Sequence, residues 1–335
     1  MDTRKLGRSG LSVSPLCLGT MMFGDQTDEK EAKRIVGHAR DAGVNFIDTA
    51  DQYAKGKSEE IVGRAIAKDR DAWVLATKAG NPVHDTHANA QGLNRKWLLK
   101  AIDDSLSRLG TGFVDIWYLH LDDYTTPLEE AVSAVADVLG QGKALYWGVS
   151  NFRAWRIAEL VHLADAAGID RPIVCQPYYN AMNRMPEVEI LPACEYHGLG
   201  VVPYSPLARG VLTGKYAPGK AAPKDSRAGR KDVRMMESEF REESLVIAQK
   251  IKAHAEKKGM TAADFAVNWV LANPIVTSVL AGPRTLEQWK GYLGALDHGF
   301  DEEDEALLDS LVTPGHPSTP GYSDPRYPLT GRPVW

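Results

Sequence analysis

Eight short apolar runs recur along this chain, and the stretches between them carry a helical period. The runs are LCLGT (16–20), FIDTA (46–50), WVLATK (73–78), FVDIWYLH (113–120), ALYWGVSN (144–151), IVCQP (173–177), GVVPYS (200–205) and TSVLAG (277–282). Runs that are apolar on both faces belong in a parallel sheet covered by helices on both sides; a half-buried strand would alternate instead. The helices between them are legible from their ends. Asn94 caps one that sets Leu98, Ile102, Leu106 and Leu109 on a single face, with Gly110 and Gly112 to stop it. The segment PLEEAVSAVADVLGQGK has Pro127 early, acids in its first turn, and Gly140 and Gly142 behind its apolar face.

Eight such units close into a barrel or stay open as a doubly wound sheet. An open sheet gathers its ligand residues at one switch point, whereas a barrel displays them at the C-terminal ends of many strands. Here nearly every run ends on something polar: Asp48, Lys78, His120, Ser150 with Asn151, Gln176, and Tyr204 with Ser205. The last run leads to Gly282 and Arg284. Loop starts explain one or two of these but not the whole ordered set, so the expected fold is an α/β TIM-type barrel. No linker divides the 335 residues, and one domain over 1–335 is expected. Two segments break the repeat: a Gly-, Pro- and basic-rich loop after Ser205, and the Pro-rich stretch TPGHPSTPGYSDPRYPLTGRPVW. Loops this long are usually lids or tails, and Tyr322, Tyr327 and Trp335 favour docking for the second.

Bulk properties narrow the function by exclusion. A net charge of −5 gives no reason to expect nucleic acid or an anionic membrane as partner. Cys17, Cys175 and Cys194 form no C-x-x-C pair and no zinc-like cluster, so no metal is expected and the thiols read as reduced and packed. The first twenty residues lack the apolar core of a signal peptide, and no run approaches membrane-spanning length. A soluble cytoplasmic protein with a small-molecule substrate is expected, as a monomer or weak homo-oligomer.

The stretch NFIDTADQYAKGKSEEIVG carries the first chemistry. Neighbouring barrel strands would bring Asp48, Lys78 and His120 side by side at the mouth, with Tyr53 on the loop beyond Asp48. A phenol titrates near ~10 in water, too high to exchange protons readily at neutral pH. An ammonium at about 4 Å favours the phenolate by up to ~4 kcal/mol at an intermediate dielectric. A carboxylate keeps that ammonium charged, and an imidazole orients a carbonyl oxygen or relays a proton. Singly, each residue has a plainer explanation as cap, turn or packing group, and Lys78 alone also fits an imine-forming lysine. Jointly they make an acid/base for the oxygen of a carbonyl undergoing reduction.

The chain resembles the aldo-keto reductase superfamily along essentially its whole length. The matching motifs are KLGRSGLSVSPLCLGTMMFG, NFIDTADQYAKGKSEEIVG, TK (77–78), VDIWYLH with TPLEEA, YWGVSNF, QPYYN, YSPLARGVLTGKY and AGPRTLEQ. The resemblance implies a catalytic tetrad of Asp48, Tyr53, Lys78 and His120, with Tyr53 as general acid/base. It also implies a barrel closed at the bottom by an N-terminal β-hairpin from RKLGRSGLSVSPL, with long loops over the C-terminal mouth. The implied cofactor is NADPH/NADP+, held without a glycine-rich dinucleotide fingerprint. Ser150, Asn151 and Gln176 would hold the nicotinamide carboxamide, and Tyr204 would stack on its ring. Ser205, Leu207 and Gly210 would wrap the pyrophosphate, with Lys215 and Arg227 adding charge. Gly19, Thr20, Met21, Gly282, Arg284 and Gln288 complete the cofactor set.

AGPRTLEQ has a physical reading beside the resemblance. Thr285 and Gln288 have capping-box spacing, and Arg284 lies just before a helix N-terminus, where the dipole disfavours a cation. A cation belongs there if it shares an anion with the helix end, and the 2′-phosphate of NADPH is such an anion. The family often has Asn four residues after this Gln, whereas this chain has Tyr292, a stacking group for adenine. Met22, Phe23, Asn81, His84, Tyr124, Phe152 and the C-terminal tail are candidates to line the substrate pocket. The expected function is reversible NADPH-dependent reduction of aldehydes or ketones. The rivals are a nucleotide-binding regulatory protein like the potassium-channel β subunits, and a barrel aldolase or isomerase using Lys78 as an imine.

Overall fold

The computed structural model describes residues 1–83 and 87–328. Its strands are β1 Arg4–Lys5, β2 Ser12–Val13, β3 Leu16–Gly19, β4 Phe46–Asp48, β5 Val74–Ala79, β6 Val114–Leu119, β7 Ala144–Ser150, β8 Val174–Gln176, β9 Gly200–Val201 and β10 Val279–Ala281. Its α-helices are α1 Glu29–Asp41, α2 Lys57–Ile66, α3 Arg95–Leu109, α4 Leu128–Gly140, α5 Ala154–Ala167, α6 Ile190–His197, α7 Val233–Ser238, α8 Glu242–Lys257, α9 Ala262–Ala272, α10 Leu286–Gly294 and α11 Glu302–Leu311. The eight apolar runs are β3 to β10, in order. The helix ends fall where the side chains dictate: Asn94 Oδ1 accepts the Trp97 N–H at 2.9 Å, and Pro127 immediately precedes α4.

Contacts divide the chain into two compact units. The first comprises Met1–Pro177, Glu189–Pro203 and Pro274–Lys290; the second comprises Tyr178–Val188, Tyr204–Asn273 and Gly291 onward.

The first unit is the barrel. All eight strands pair in parallel in the order β10-β3-β4-β5-β6-β7-β8-β9. A parallel bridge between Val201 and Val276 closes the ring, and the Leu280 N–H donates to the Pro203 carbonyl at 3.0 Å. Pro203 has no N–H to give a neighbour, which is why the long apolar run there yields so short a strand. Cys17, Phe46, Ala76, Ile116, Tyr118 and Val174 fill the interior. Each fully buried aliphatic or aromatic side chain of this kind contributes about 1.5–3 kcal/mol.

The antiparallel hairpin β1–β2 pairs Arg4 with Val13 and Lys5 with Ser12, and it buries Leu6 and Val13 in the same cluster as the barrel interior. Its turn comes very close to the strands. A Cβ on Gly7, where φ is +56°, would lie 2.5 Å from the Gly200 nitrogen and 2.6 Å from the Gly198 carbonyl. Any side chain there would push the plug away, so glycine sets the approach. The Arg8 N–H then donates to the Gly198 carbonyl at 2.8 Å, fixing the hairpin under the N-terminal ends of the strands.

The second unit contains α7, α8, α9 and α11. Its C-terminal stretch is docked: Asp324 takes both terminal nitrogens of Arg234 at 3.0 and 2.7 Å, and the Arg241 guanidinium lies 3.9 Å over the Tyr322 ring. Docking, as Tyr322 suggested, is what the described part of the stretch does; Trp335 lies outside the described residues. Among the described residues no helix is long and apolar enough to cross a membrane. All three cysteines are buried and form no disulfide.

Candidate active site

Strand register assembles the first-unit site. Asp48 ends β4 and pairs with Gly19 of β3 and Ala76 of β5; Lys78 of β5 pairs with Tyr118 of β6; Ser150 ends β7 and pairs with Gln176 of β8. His120 follows β6, anchored by its N–H to the Ala79 carbonyl at 2.8 Å. Tyr53 opens the one-turn 3-10 helix Tyr53–Gly56 beyond β4.

Lys78 is the hub. Its ammonium donates to Asp48 Oδ1, to the Thr49 carbonyl at 2.7 Å and to the Tyr53 hydroxyl at 3.2 Å, and it lies 4.8 Å from the centre of the Tyr53 ring. Gln176 Nε2 donates to the other carboxylate oxygen, Asp48 Oδ2, at 3.0 Å. Asp48 and Lys78 are both fully buried. Burial pushes the Asp48 carboxyl up, while the Lys78 charge and the Gln176 amide pull it back. For Lys78 burial works against the charge, and Asp48 and Tyr53 outweigh it, leaving the ammonium above its ordinary value. Lys78 therefore stands as the ammonium, ion-paired with Asp48, whose carboxyl is left above its ordinary value by burial. Both Asp48 oxygens are spent, so its part is to hold the charge on Lys78. The His120 ring meets the Tyr53 ring edge-on, centroids 5.9 Å apart. A phenol held by a fixed ammonium, beside an imidazole, is an arrangement for moving a proton to or from an oxygen atom.

The profile of the Aldo/keto reductase family matches residues 15–313. The chain belongs to the aldo/keto reductase family. It is 40% identical over 305 residues, 89% of this chain and 92% of the relative, to a probable voltage-gated potassium channel subunit beta of Arabidopsis thaliana. It is 34% identical over 334 residues to the uncharacterized oxidoreductase YrpG of Bacillus subtilis, covering 96% of this chain and 100% of that protein. It is also 34% identical over 327 residues to the L-glyceraldehyde 3-phosphate reductase of Escherichia coli O157:H7, covering 94% and 93% of the two chains. Family and oxidoreductase-named relatives support an oxidoreductase.

The remaining residues of this aldo/keto reductase fall into place unevenly. In the first unit, Ser150 and Asn151 adjoin His120: Asn151 Nδ2 donates to the His120 carbonyl at 2.9 Å and to Ser150 Oγ at 3.1 Å. Ser150 Oγ in turn donates to the Gln176 carbonyl at 2.9 Å. Thr20 is buried, with its N–H and hydroxyl given to the Asp48 carbonyl at 3.0 and 2.9 Å and its own carbonyl taken by Ser58 Oγ at 2.8 Å. It ties β3 to β4. Gly19 is buried at the end of β3, and Met21 is exposed.

One half of the capping box at α10 is in place, Thr285 Oγ1 accepting the Gln288 N–H at 3.3 Å, and the other is displaced by one residue, Gln288 Oε1 accepting the Arg284 N–H at 2.8 Å. The anion at that helix end is the protein's own, because Glu31 Oε1 accepts the Leu286 N–H at 2.7 Å. Arg284 is half-buried, its guanidinium reaching Gln26 Oε1 at 3.5 Å, and Gly282 is exposed.

In the second unit, the rings of Tyr204 and Tyr178 stack with centroids 5.5 Å apart. Ser205, Ala208, Arg209 and Gly210, flanking Leu207, all have positive φ (59°, 46°, 52° and 101°). Lys215 Nζ lies 3.3 Å from where a Cβ on Gly210 would stand. Arg227 is half-buried and its charge opposes the burial that pushes the Tyr292 phenol up to about 12. Of the pocket candidates, Met22, Phe23, Asn81 and Phe152 are buried, Tyr124 is half exposed beside Trp155, and His84 lies outside the described residues.

Buried Glu59 of α2 accepts Arg108 Nε of α3 at 2.6 Å, a pairing between residues 49 apart that no motif marks. The available signal was a carboxylate, Glu59, on the same helical face as Val62 and Ile66.

Proposed function

We propose that this aldo/keto reductase reversibly reduces aldehyde or ketone carbonyls to alcohols with NADPH, Tyr53 serving as general acid/base. The observation that carries the reading is Lys78 Nζ at 3.2 Å from the Tyr53 hydroxyl while paired with buried Asp48. The ammonium favours the phenolate form, so Tyr53 gives its proton to a developing alkoxide and regains it in the reverse direction. The His120 ring, packed against Tyr53, orients the carbonyl oxygen toward the phenol. A bound nicotinamide supplies the hydride.

The chain's residues fit such a cofactor. Within the second unit, the left-handed residues Ser205, Ala208, Arg209 and Gly210, with Lys215 alongside, have the strain and charge of a phosphate-binding turn. There the reading assigns Tyr204 to the nicotinamide ring, Ser205, Leu207 and Gly210 to the pyrophosphate, and Lys215 and Arg227 to phosphate charge. Within the first unit it assigns Ser150, Asn151 and Gln176 to the carboxamide, with Gly19, Thr20 and Met21 near it, and Gly282, Arg284 and Gln288 to the 2′-phosphate end. The reading carries with it one catalytic domain over residues 1–335, a cytoplasmic setting, and a monomer or weak homo-oligomer.

A panel of aldehydes and ketones screened by loss of NADPH absorbance tests it. Consumption with at least one carbonyl, metal-free and saturable, is expected. Tight NADPH binding with no turnover on any carbonyl would favour a nucleotide-binding regulatory protein, a reading supported by the 40% identity to a channel-subunit relative. The imine alternative loses ground on geometry, since Lys78 Nζ is buried among Asp48, Thr49 and Tyr53. Borohydride trapping with substrate would label Lys78 only in that case.

A further inference from the structure

Beneath the Tyr53 loop, on the outer side of the barrel, one carboxylate joins two structures that the proton-transfer site depends on. Glu59 of α2 is fully buried. Its Oε1 accepts the Thr77 hydroxyl at 2.5 Å and its Oε2 accepts Arg108 Nε of α3 at 2.6 Å. Thr77 immediately precedes Lys78 on β5, and strand alternation sends the two side chains to opposite faces, Lys78 inward and Thr77 toward α2. Arg108 supports the other structure. A Cβ on Gly56 would lie 2.7 Å from Arg108 Cδ and 2.9 Å from its Nε, so the stem of this arginine lies against the backbone that ends the Tyr53 turn.

That turn is strained. Ala54, Lys55 and Gly56 are all left-handed, with φ of 49°, 56° and 90°, and the first two carry side chains that disfavour it. Such a turn persists only when its surroundings over-determine it. Here the pair of buried Glu59 with half-buried Arg108 fills that role, although taking even one partner of an ion pair out of water is an expensive way to pack two helices.

We infer that Glu59 and Arg108 are positioning residues that fix the separation of Tyr53 from Lys78, and so set how strongly the ammonium activates the phenol. Neither reaches the proton-transfer groups. The groups that pair with Tyr53 include the Lys78 ammonium and the His120 ring, with Asp48 acting through Lys78; among the described residues, Glu59 is met by Arg108, Thr77 and the buried Asp51. Asp51 adds one more brace, its N–H donating to the Lys78 carbonyl at 3.1 Å. The inference rests on the proposed role of Tyr53 but is read by a signal that needs no turnover.

The experiment makes Arg108→Gln and Glu59→Gln, and the milder Thr77→Val, which removes one hydrogen bond and no charge. For each, the phenolate absorbance of Tyr53 is isolated as the difference between that protein and the same protein carrying Tyr53→Phe. The Tyr53 midpoint should rise above that of the wild-type protein, because the ammonium then stands farther from the phenol. Turnover should fall by about 10- to 100-fold, the scale of a sub-ångström to one-ångström misplacement, with NADPH affinity unchanged within twofold. Arg108→Lys, which keeps the charge, should fall between wild type and Arg108→Gln. Folded variants that keep the wild-type midpoint overturn the inference, whatever their turnover, and Thr77→Val alone decides it if the charge variants do not fold. A wild-type protein that reduces no carbonyl overturns the reductase reading instead, while the phenolate midpoints still judge the brace.

Discussion

Lys78 Nζ sits 3.2 Å from the Tyr53 hydroxyl, and both are held by groups distant in sequence. The phenol is thereby tied to a buried charge whose counter-ion, Asp48, is itself pinned by Gln176 at 3.0 Å. The consequences of this single relationship can be separated by substitution.

Tyr53→Phe retains the ring that packs against His120 and removes only the exchangeable proton. Carbonyl turnover should drop by roughly two to four orders of magnitude, the usual worth of a general acid. NADPH affinity should stay within a few-fold of wild type. Stopped-flow turnover beside a cofactor titration measures both, and near-normal turnover removes Tyr53 from the mechanism.

Lys78→Met leaves Asp48 as a buried carboxylate with its cation gone. Breaking a buried pair from one side costs about 3–5 kcal/mol, so the variant should lose that much in denaturant unfolding. Adding Asp48→Asn removes the orphaned charge and should recover most of the stability, yet turnover should stay as low as in Lys78→Met. Recovery of both together would mean that the pair serves the fold alone.

The eight strands were legible because each is apolar on both faces, and α3 was legible because Asn94 and four leucine or isoleucine positions agree on one helix. The bonds that make the site work carry no such local signal. Gln176 reaches Asp48 across 128 residues, Arg108 reaches Glu59 across 49, and Glu31 reaches the start of α10 across 255. The last of these alters how α10 is understood. A cation before a helix N-terminus suggested a ligand anion, and a carboxylate from α1 already occupies that end. Ala54 and Lys55 were equally silent, since nothing in their identity marks a left-handed turn.

Asp51 gives a stability prediction with a definite sign. Its carboxyl is fully buried, neither oxygen has a side-chain hydrogen-bond partner among the described residues, and burial, then the Glu59 charge, pushes it well above the usual carboxylate range. A raised acid holds its proton in the folded state after the unfolded chain has released its own, so stability falls as pH rises above about 4, by at most about 1.4 kcal/mol per pH unit. Asp51→Asn does not titrate. It should match wild type near pH 4 and exceed it by more than about 1 kcal/mol at pH 7. Parallel urea titrations at the two pH values decide this; a gain of equal size at both would mean that the carboxylate is not being held protonated.

Arg284 tests whether the α10 end reads the cofactor's 2′-phosphate. Glu31 already satisfies the Leu286 N–H, so the guanidinium itself must supply any discrimination between NADPH and NADH. Hydrogen bonds to charged groups are worth about 1.5–3 kcal/mol, so Arg284→Ala should weaken NADPH by roughly 10- to 150-fold. NADH lacks that phosphate, and its affinity should hardly change. The wild-type preference should also narrow as salt rises, because a half-buried contact of this kind remains open to screening. Dissociation constants for both cofactors, in both proteins and at two ionic strengths, give the answer. Equal losses for NADPH and NADH would assign the Arg284 side chain to holding the loop, through its contact with Gln26 Oε1 at 3.5 Å, and would place recognition of the phosphate elsewhere.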